Sequence, residues 1–280
     1  MKQRFARMLF MATALISVLS VMLICFFMFS NGIPAIFRIG FLEFLGGRTW
    51  KPSSGVFGIL PMIVGSVFVT LLSVIIGVPI GILSAVYLAF FCPKKAYRLL
   101  KPAVELLAGI PSIVYGYFGL TVIVPVMQYL FGGSGKSMLT ASVLLAMMIL
   151  PTVITVSESS LRAVPSTVLD SALALGDTKE RGVFMAMIPA AKSGILSSAV
   201  LGIGRSIGET MAVIMVAGNQ PVMPTSLFRG LRTMTANIVL EMGYAADLHR
   251  EALIATSVVL FVFVLVINSV FAALRKESER

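Results

Sequence analysis

Between Pro52 and Pro93 the chain carries no charged residue. As one helix those residues would extend about 63 Å, roughly twice the hydrocarbon thickness of a bilayer. No soluble domain needs so long an uncharged run. Across 280 residues, hydrophobic side chains make up 58% and charged ones 12%, against about 25% charged in soluble domains. The solvent for most of this surface is therefore lipid.

The charges mark where the spans begin and end. Lys2, Arg4 and Arg7 precede an apolar run at 8–29, long enough to span. A basic start also suits a signal peptide, but Phe26, Phe27, Met28 and Phe29 give no small-residue cleavage site, so the run reads as a retained first span. Residues 30–55 read as an external loop, broken by Asn31-Gly32, Pro34, Gly46-Gly47 and Pro52, with Trp50 at the interface. The uncharged run divides into an interfacial lead-in at 56–66 and a second span at 67–91. Lys94, Lys95, Arg98 and Lys101 then form a basic loop. Further spans fall at 104–131, 138–156, 194–217 and 252–274. The expected fold is an all-α integral membrane protein, one membrane domain over 1–280 with six transmembrane helices.

Six spans place both termini on one side. Fourteen of the 22 Lys and Arg residues lie on that side, seven lie on the other, and Arg205 lies inside the membrane. The bias puts the termini and the polar segment 157–193 in the cytoplasm. The net charge of +10 is accounted for by this orientation, so nucleic acid is not an expected partner. One histidine, His249, and two cysteines, Cys25 and Cys92, exclude multi-histidine metal sites and a disulfide framework. Gly132-Gly133-Ser134-Gly135-Lys136-Ser137 imitates a phosphate-binding loop, but that pattern needs glycine where Leu130 stands. No cofactor is expected, and the chain itself is not read as an ATP-hydrolysing enzyme.

Segment 157–193 contains two helix-start signals. Thr167 with Asp170 fits a capping box, and Gly176 suits the stop of that helix. Asp177 with Glu180 opens a second helix in the same way, with Pro189 after its end. A helix–glycine–helix hairpin on a membrane face is a docking surface or a plain structured loop.

The fifth apolar run holds two charges, Arg205 and Glu209. Inserting an arginine at mid-membrane costs on the order of 2.5–3.5 kcal/mol. At i and i+4 the two would share one helix face and pair. Such a pair is either structural or an anion site. Arginine suits an oxyanion because its planar fork donates two parallel hydrogen bonds. Gly204 and Gly208 add a small-xxx-small spacing that permits close helix approach.

Asp170-Ser171-Ala172, then Gly176, then Ile188-Pro189, resembles the EAA motif of ABC-importer permeases. Asp170 stands for Glu, Ser171 for Ala, Ala186 for Ile and Ile188 for Leu, while Ala172, Gly176 and Pro189 match. The stretches Ala108-Gly-Ile-Pro-Ser-Ile-Val-Tyr-Gly116 and Gly204-Arg-Ser-Ile-Gly-Glu-Thr-Met-Ala-Val-Ile-Met-Val-Ala-Gly-Asn219 are similar to the permeases of high-affinity phosphate importers. So are Trp50-x-Pro52 and Phe57-Gly-Ile-Leu-Pro61, and Thr210-Met-Ala-Val resembles the PstC type. The resemblance implies a type I ABC importer permease fold in a prokaryotic plasma membrane. It implies a homologous permease partner (PstA type), two cytoplasmic ATPases (PstB type) and an external phosphate-binding protein (PstS type). Asp170, Ser171, Ala172, Gly176, Ile188 and Pro189 would dock the ATPase. Arg205 and Glu209 would line the pathway, and Gly204 and Gly208 would meet the partner permease. Sulfate or molybdate permeases, and a self-contained secondary anion transporter, are the rival functions.

Overall fold

In a computed structural model, residues 2–278 are described. Met1, Glu279 and Arg280, the last counted among the basic end residues above, lie outside the described residues. The elements in order are helix α1 (Lys2–Ile39), α2 (Phe41–Gly46), a hairpin of β1 (Trp50–Lys51) and β2 (Val56–Phe57), and α3 (Leu60–Val86). Then come α4 (Lys94–Gly109), α5 (Ser112–Phe118), α6 (Val124–Phe131), α7 (Met138–Ala163), α8 (Ser166–Ala174), α9 (Lys179–Gly182) and α10 (Ile188–Ala190). The chain finishes with α11 (Lys192–Gly208), α12 (Met211–Val216), α13 (Met234–Glu241) and α14 (Asp247–Ser278).

Among the described residues, five helical runs are long and apolar enough to cross a membrane: Ala6–Ile39, Leu60–Phe91, Ser112–Phe131, Met138–Ala163 and Asp247–Val270. A sixth is broken. Lys179–Ala190 and Lys192–Gly208 meet at a bend of 72°. Counted as one span, that bent pair would make six, and several expected boundaries move for physical reasons.

α1 runs straight through Asn31, Gly32 and Pro34 instead of ending at 29. Gly32 is a contact, not a breaker: a Cβ there would lie 2.6 Å from Val258 Cγ2 and 3.2 Å from Ala255 Cα on α14. The Asn31 side-chain amide folds back on the carbonyl of Phe27 at 2.7 Å. The interfacial lead-in at 56–66 is not a separate element either. Trp50 pairs with Phe57 and Lys51 with Val56 across an antiparallel hairpin. The second span starts directly afterwards at Leu60, with Pro61 in its first turn, where the missing N–H costs nothing.

The expected third span is two helices. Pro111 forces Ile110 into extended geometry (φ −69°, ψ 127°), so α4 ends and α5 begins. The fourth span continues past 156 to Ala163.

Among the described residues, three helical runs contain a π turn: Tyr87–Phe91, Gly119–Ile123 and Val183–Met187. Each ends two residues before a proline, at Pro93, Pro125 and Pro189. Proline has no N–H, and its ring clashes with the carbonyl four residues back. Widening the turn moves that carbonyl away and lets the chain reach the proline without a break.

The centre of the bundle is α3, α7 and α11. Along α3 the residues Gly65, Val69, Ser73, Gly77, Gly81 and Ala85 recur every four positions, and all are buried. A Cβ at Gly77 would lie 2.8 Å from Ile149, and one at Gly81 would lie 2.6 Å from Val153. Small residues thus let α3 and α7 approach closely. Two buried hydroxyl pairs lock α11 in place: Ser73 with Ser206 at 2.7 Å, and Ser157 with Ser198 at 2.8 Å. Lipid competes poorly for such hydroxyls, so they favour one register.

Candidate functional site: a broken span and the surfaces at its two ends

α11 ends at Gly208, and Glu209 is extended (φ −71°, ψ 130°). The expected single helix 194–217 is therefore broken at Glu209-Thr210, and α12 restarts at Met211. Arg205 and Glu209 consequently do not share a helix face, and among the described residues they form no ion pair. Glu209 Oε1 instead accepts from the backbone N–H of Ala212 at 3.1 Å and caps α12. An acceptor there satisfies one of the unpaired donors at a helix start. The Glu209 carbonyl accepts from Thr235 at 3.3 Å.

Arg205 is half-buried. Its one side-chain hydrogen bond among the described residues is a long one, Nη1 to Thr152 Oγ1 at 3.5 Å. The guanidinium thus has donors to spare at the place where the span breaks. Gly204 and Gly208 are exposed on the same helix, and a Cβ on either would meet no atom of this chain within 4 Å. A Cβ on Gly202, by contrast, would lie 3.2 Å from Val153 Cγ2.

Within 157–193 the hairpin forms from α8 onward, after α7 has taken up 157–163, and with different caps. Pro165 precedes α8 and no side chain caps it, so Thr167 is already inside the helix. At the other end, Gly176 has φ +91°. The N–H of Gly176 bonds the carbonyl of Leu173 at 3.0 Å, and that of Asp177 bonds Ala172 at 3.1 Å. This is the Schellman closure, and it uses glycine because the left-handed conformation excludes most side chains. Thr178, not Asp177, caps α9. Pro189 lies within α10 rather than after the helix. Asp170, Ser171, Gly176 and Pro189 are exposed, and Ala172 and Ile188 are half-buried. Leu175 at the tip is 89% exposed. Ala172 has a partner that no motif flags: a Cβ on Gly182 would lie 3.4 Å from the Ala172 Cβ and 2.9 Å from Leu169. Small side chains let α8 and α9 cross.

Glu158 is the residue that sequence reasoning passed over. It is 1% exposed and accepts from Tyr97 Oη, Lys101 Nζ and Arg162 Nε, each at 2.8 Å. Only Arg162, four residues away, was a local signal. Burial, the largest single influence, pulls the Lys101 ammonium down, but its bond to Glu158 together with the nearby charges of Glu158 and Glu105 holds it above its ordinary value. Lys179 reaches from α9 to the carbonyl of Phe90 at 2.6 Å. The hairpin is thereby tied to the end of the second span.

A second carboxylate, Glu241, lies at the opposite end of the bundle. It accepts from Trp50 Nε1 at 2.8 Å, from Arg232, and shares a hydrogen bond with His249 Nε2 at 2.8 Å. Arg232 also donates to the carbonyl of Asn219 at 3.0 Å and to Asn237 Oδ1 at 2.9 Å. Burial alone would raise the Glu241 carboxyl, but the donors from Trp50, His249 and Arg232 hold it below its ordinary value. This cluster ties the β1–β2 hairpin to α13 and the start of α14.

Residues 77–279 match the family described as the binding-protein-dependent transport system inner membrane component. That span contains the hairpin around Gly176, Arg205 and the broken helix. The chain belongs to this family. Such a permease is a multi-pass membrane component, not itself an enzyme, and the family works with a second permease, ATPase subunits and a solute-binding protein. The permease is 36% identical to a protein of Bacillus subtilis (strain 168) named probable ABC transporter permease protein YqgH, over 94% of this chain and 88% of that one. It is also 36% identical to the phosphate transport system permease protein PstC of Mesorhizobium japonicum, over 87% of this chain and 80% of that one. Its fold is that of a chain in the inward-facing MetNI methionine ABC transporter, with a TM-score of 0.66 at 19% identity, covering 83% of the permease and all of that chain.

Proposed function

We propose that this permease is the PstC-type subunit of an ABC importer for inorganic phosphate. It pairs with a PstA-type permease, receives phosphate from a PstS-type binding protein, and is driven by two PstB-type ATPases. Relatives at about a third identity over most of the chain carry the PstC name, which supports phosphate over sulfate or molybdate.

The observation that carries the mechanism is the state of Arg205. It is a half-buried cation in the span, held by one long bond to a neutral hydroxyl and by no carboxylate among the described residues. A phosphate oxyanion offers the acceptors its fork lacks. A site that also held a tight carboxylate partner would make phosphate compete for every donor. Glu209 enters the pathway differently from a counter-ion: by capping α12 it keeps the break open beside Arg205. Gly204 and Gly208 present the backbone of α11 to the partner permease. The exposed hairpin around Gly176 takes the ATPase, and the Lys179–Phe90 bond passes its movement to the second span. Both termini and the hairpin lie in the cytoplasm of a prokaryote, and the Trp50–Glu241 end faces outward.

The test is radiolabelled phosphate uptake by vesicles holding the reconstituted complex. Uptake should need internal ATP and the ATPase subunit, and should be reduced by arsenate more than by sulfate or molybdate. Uptake that continues without the ATPase would point to a secondary transporter. Competition by sulfate or molybdate stronger than by arsenate would reassign the solute.

A further inference from the structure

α4 joins two spans and is itself strongly amphipathic. Its N-terminal part carries Lys94, Lys95 and Arg98, all exposed and none in an ion pair among the described residues. Leu99 and Leu106, seven residues apart on one face, are 74% and 73% exposed. The helix touches the bundle along another side, where Tyr97 and Lys101 bond Glu158. Beside its first turns lies a cavity of about 360 Å³, lined by Lys94, Tyr97, Arg98 and Arg162 with Phe90 and Cys92. No carboxylate lines it.

We propose that this surface binds an anionic phospholipid, with the phosphodiester between Lys94 and Arg98 and the acyl chains along Leu99 and Leu106. Position selects a lipid. Pro93 and Pro111 connect the helix directly to the spans ending at Phe91 and starting at Ser112, so it lies at the membrane boundary. Charge selects the headgroup, since basic side chains beside an apolar face attract anionic lipid by about 1 kcal/mol each. A soluble anion would match the cations but leave the leucines bare. Nothing here depends on which solute the permease carries.

The intact complex is placed in nanodiscs of mixed phosphatidylcholine and phosphatidylglycerol, and retained lipids are counted by native mass spectrometry. The wild type should retain phosphatidylglycerol preferentially. Lys94→Gln with Arg98→Gln should cut that preference about thirty-fold, and either change alone about five-fold. The single variants answer the question if the double one fails to assemble. Lys136→Gln, in the loop before α7, should change nothing. Unchanged retention of phosphatidylglycerol in the variants would overturn the proposal. Loss of a protein subunit with lipid retention unchanged would also overturn it, and would assign the face to a protein interface.

Discussion

Arg162 gives the carbonyl of Leu88 the hydrogen bond that Pro93 cannot. In the π turn Tyr87–Phe91 each carbonyl looks five residues ahead, and Cys92 N–H accordingly bonds Tyr87 at 2.8 Å. The next carbonyl, Leu88, would meet the nitrogen of Pro93, which has no proton. Arg162 Nη2 sits 2.9 Å from it instead. The same guanidinium bonds Glu158 and lies 4.8 Å from the centre of the Tyr97 ring. One side chain thus joins the ends of α3, α4 and α7.

Removing Glu158 should therefore loosen that whole end. Glu158→Ala leaves Lys101, Arg162 and Tyr97 without their common acceptor, at a cost of about 3 kcal/mol. Thermal unfolding of the purified permease in detergent should shift down by several degrees, with Glu158→Gln in between. A Glu158→Ala protein that melts like the wild type would remove the hub.

Arg205→Gln should abolish phosphate uptake while insertion and subunit assembly persist. Arg205→Lys should be strongly impaired, because an ammonium lacks the two-pronged geometry. Thr152→Val should change uptake much less, since its bond to Arg205 is long. Arg205 and Glu209 share no hydrogen-bond partner, so the stability costs of Arg205→Gln and Glu209→Gln should add to within about 0.5 kcal/mol. Coupling well beyond that in a double-mutant cycle would restore the paired-charge view.

Gly176 separates conformation from bulk. A Cβ there meets nothing within 4 Å, yet φ is +91°. Gly176→Val should strain the turn by about 1–2 kcal/mol and reduce co-purification of the ATPase, with the spans still inserted. Gly176→Asn should retain most of it, because asparagine tolerates the left-handed region. Equal co-purification of the valine variant and the wild type would argue against docking at this turn.

The Glu241 cluster should show an acid limit. Glu241 is held below the ordinary value of 4.5, so its contribution is complete above that pH and is lost as pH falls through its lowered value. Trp50 is the only tryptophan and donates to this carboxylate. Its fluorescence should change as pH falls below 4.5. In Glu241→Gln that acid step should be missing. A step of the same size and midpoint in the variant would assign it to another group.

Topology is open to single-cysteine labelling in a background lacking Cys25 and Cys92. A cysteine at Ser54 should react with an impermeant reagent from outside, and one at Gly176 only after permeabilisation. The reverse pattern would invert the whole orientation.

The apolar runs were readable because a bilayer sets their length and excludes charge. Their breaks were not, because glycine and proline each carry two meanings. Gly32 admits a neighbouring helix, whereas Gly176 supplies a left-handed turn. Pro79 is carried inside α3, whereas Pro111 ends α4. What decides is the neighbour, which lies far away in the chain. The same holds for charge. The i, i+4 rule pairs Arg205 with Glu209, but the helix ends between them. It also finds Arg162 for Glu158, yet misses Lys101 and Tyr97, which arrive from another element. The EAA-like residues were legible as a motif. Gly182, which makes room for Ala172, was not.

The π turns set the phase of everything after them. Each holds one residue more than an α-helical turn, which rotates the following side chains by about 100°. The four-residue stripe from Gly65 to Ala85 keeps one side of α3 buried as far as the π turn. Past that point it is Leu88 that is buried. Deleting one residue within any of the three turns would leave a continuous helix aimed the wrong way. In this permease, insertions and deletions of a single residue near Pro93, Pro125 or Pro189 should therefore be worse tolerated than substitutions at the same positions.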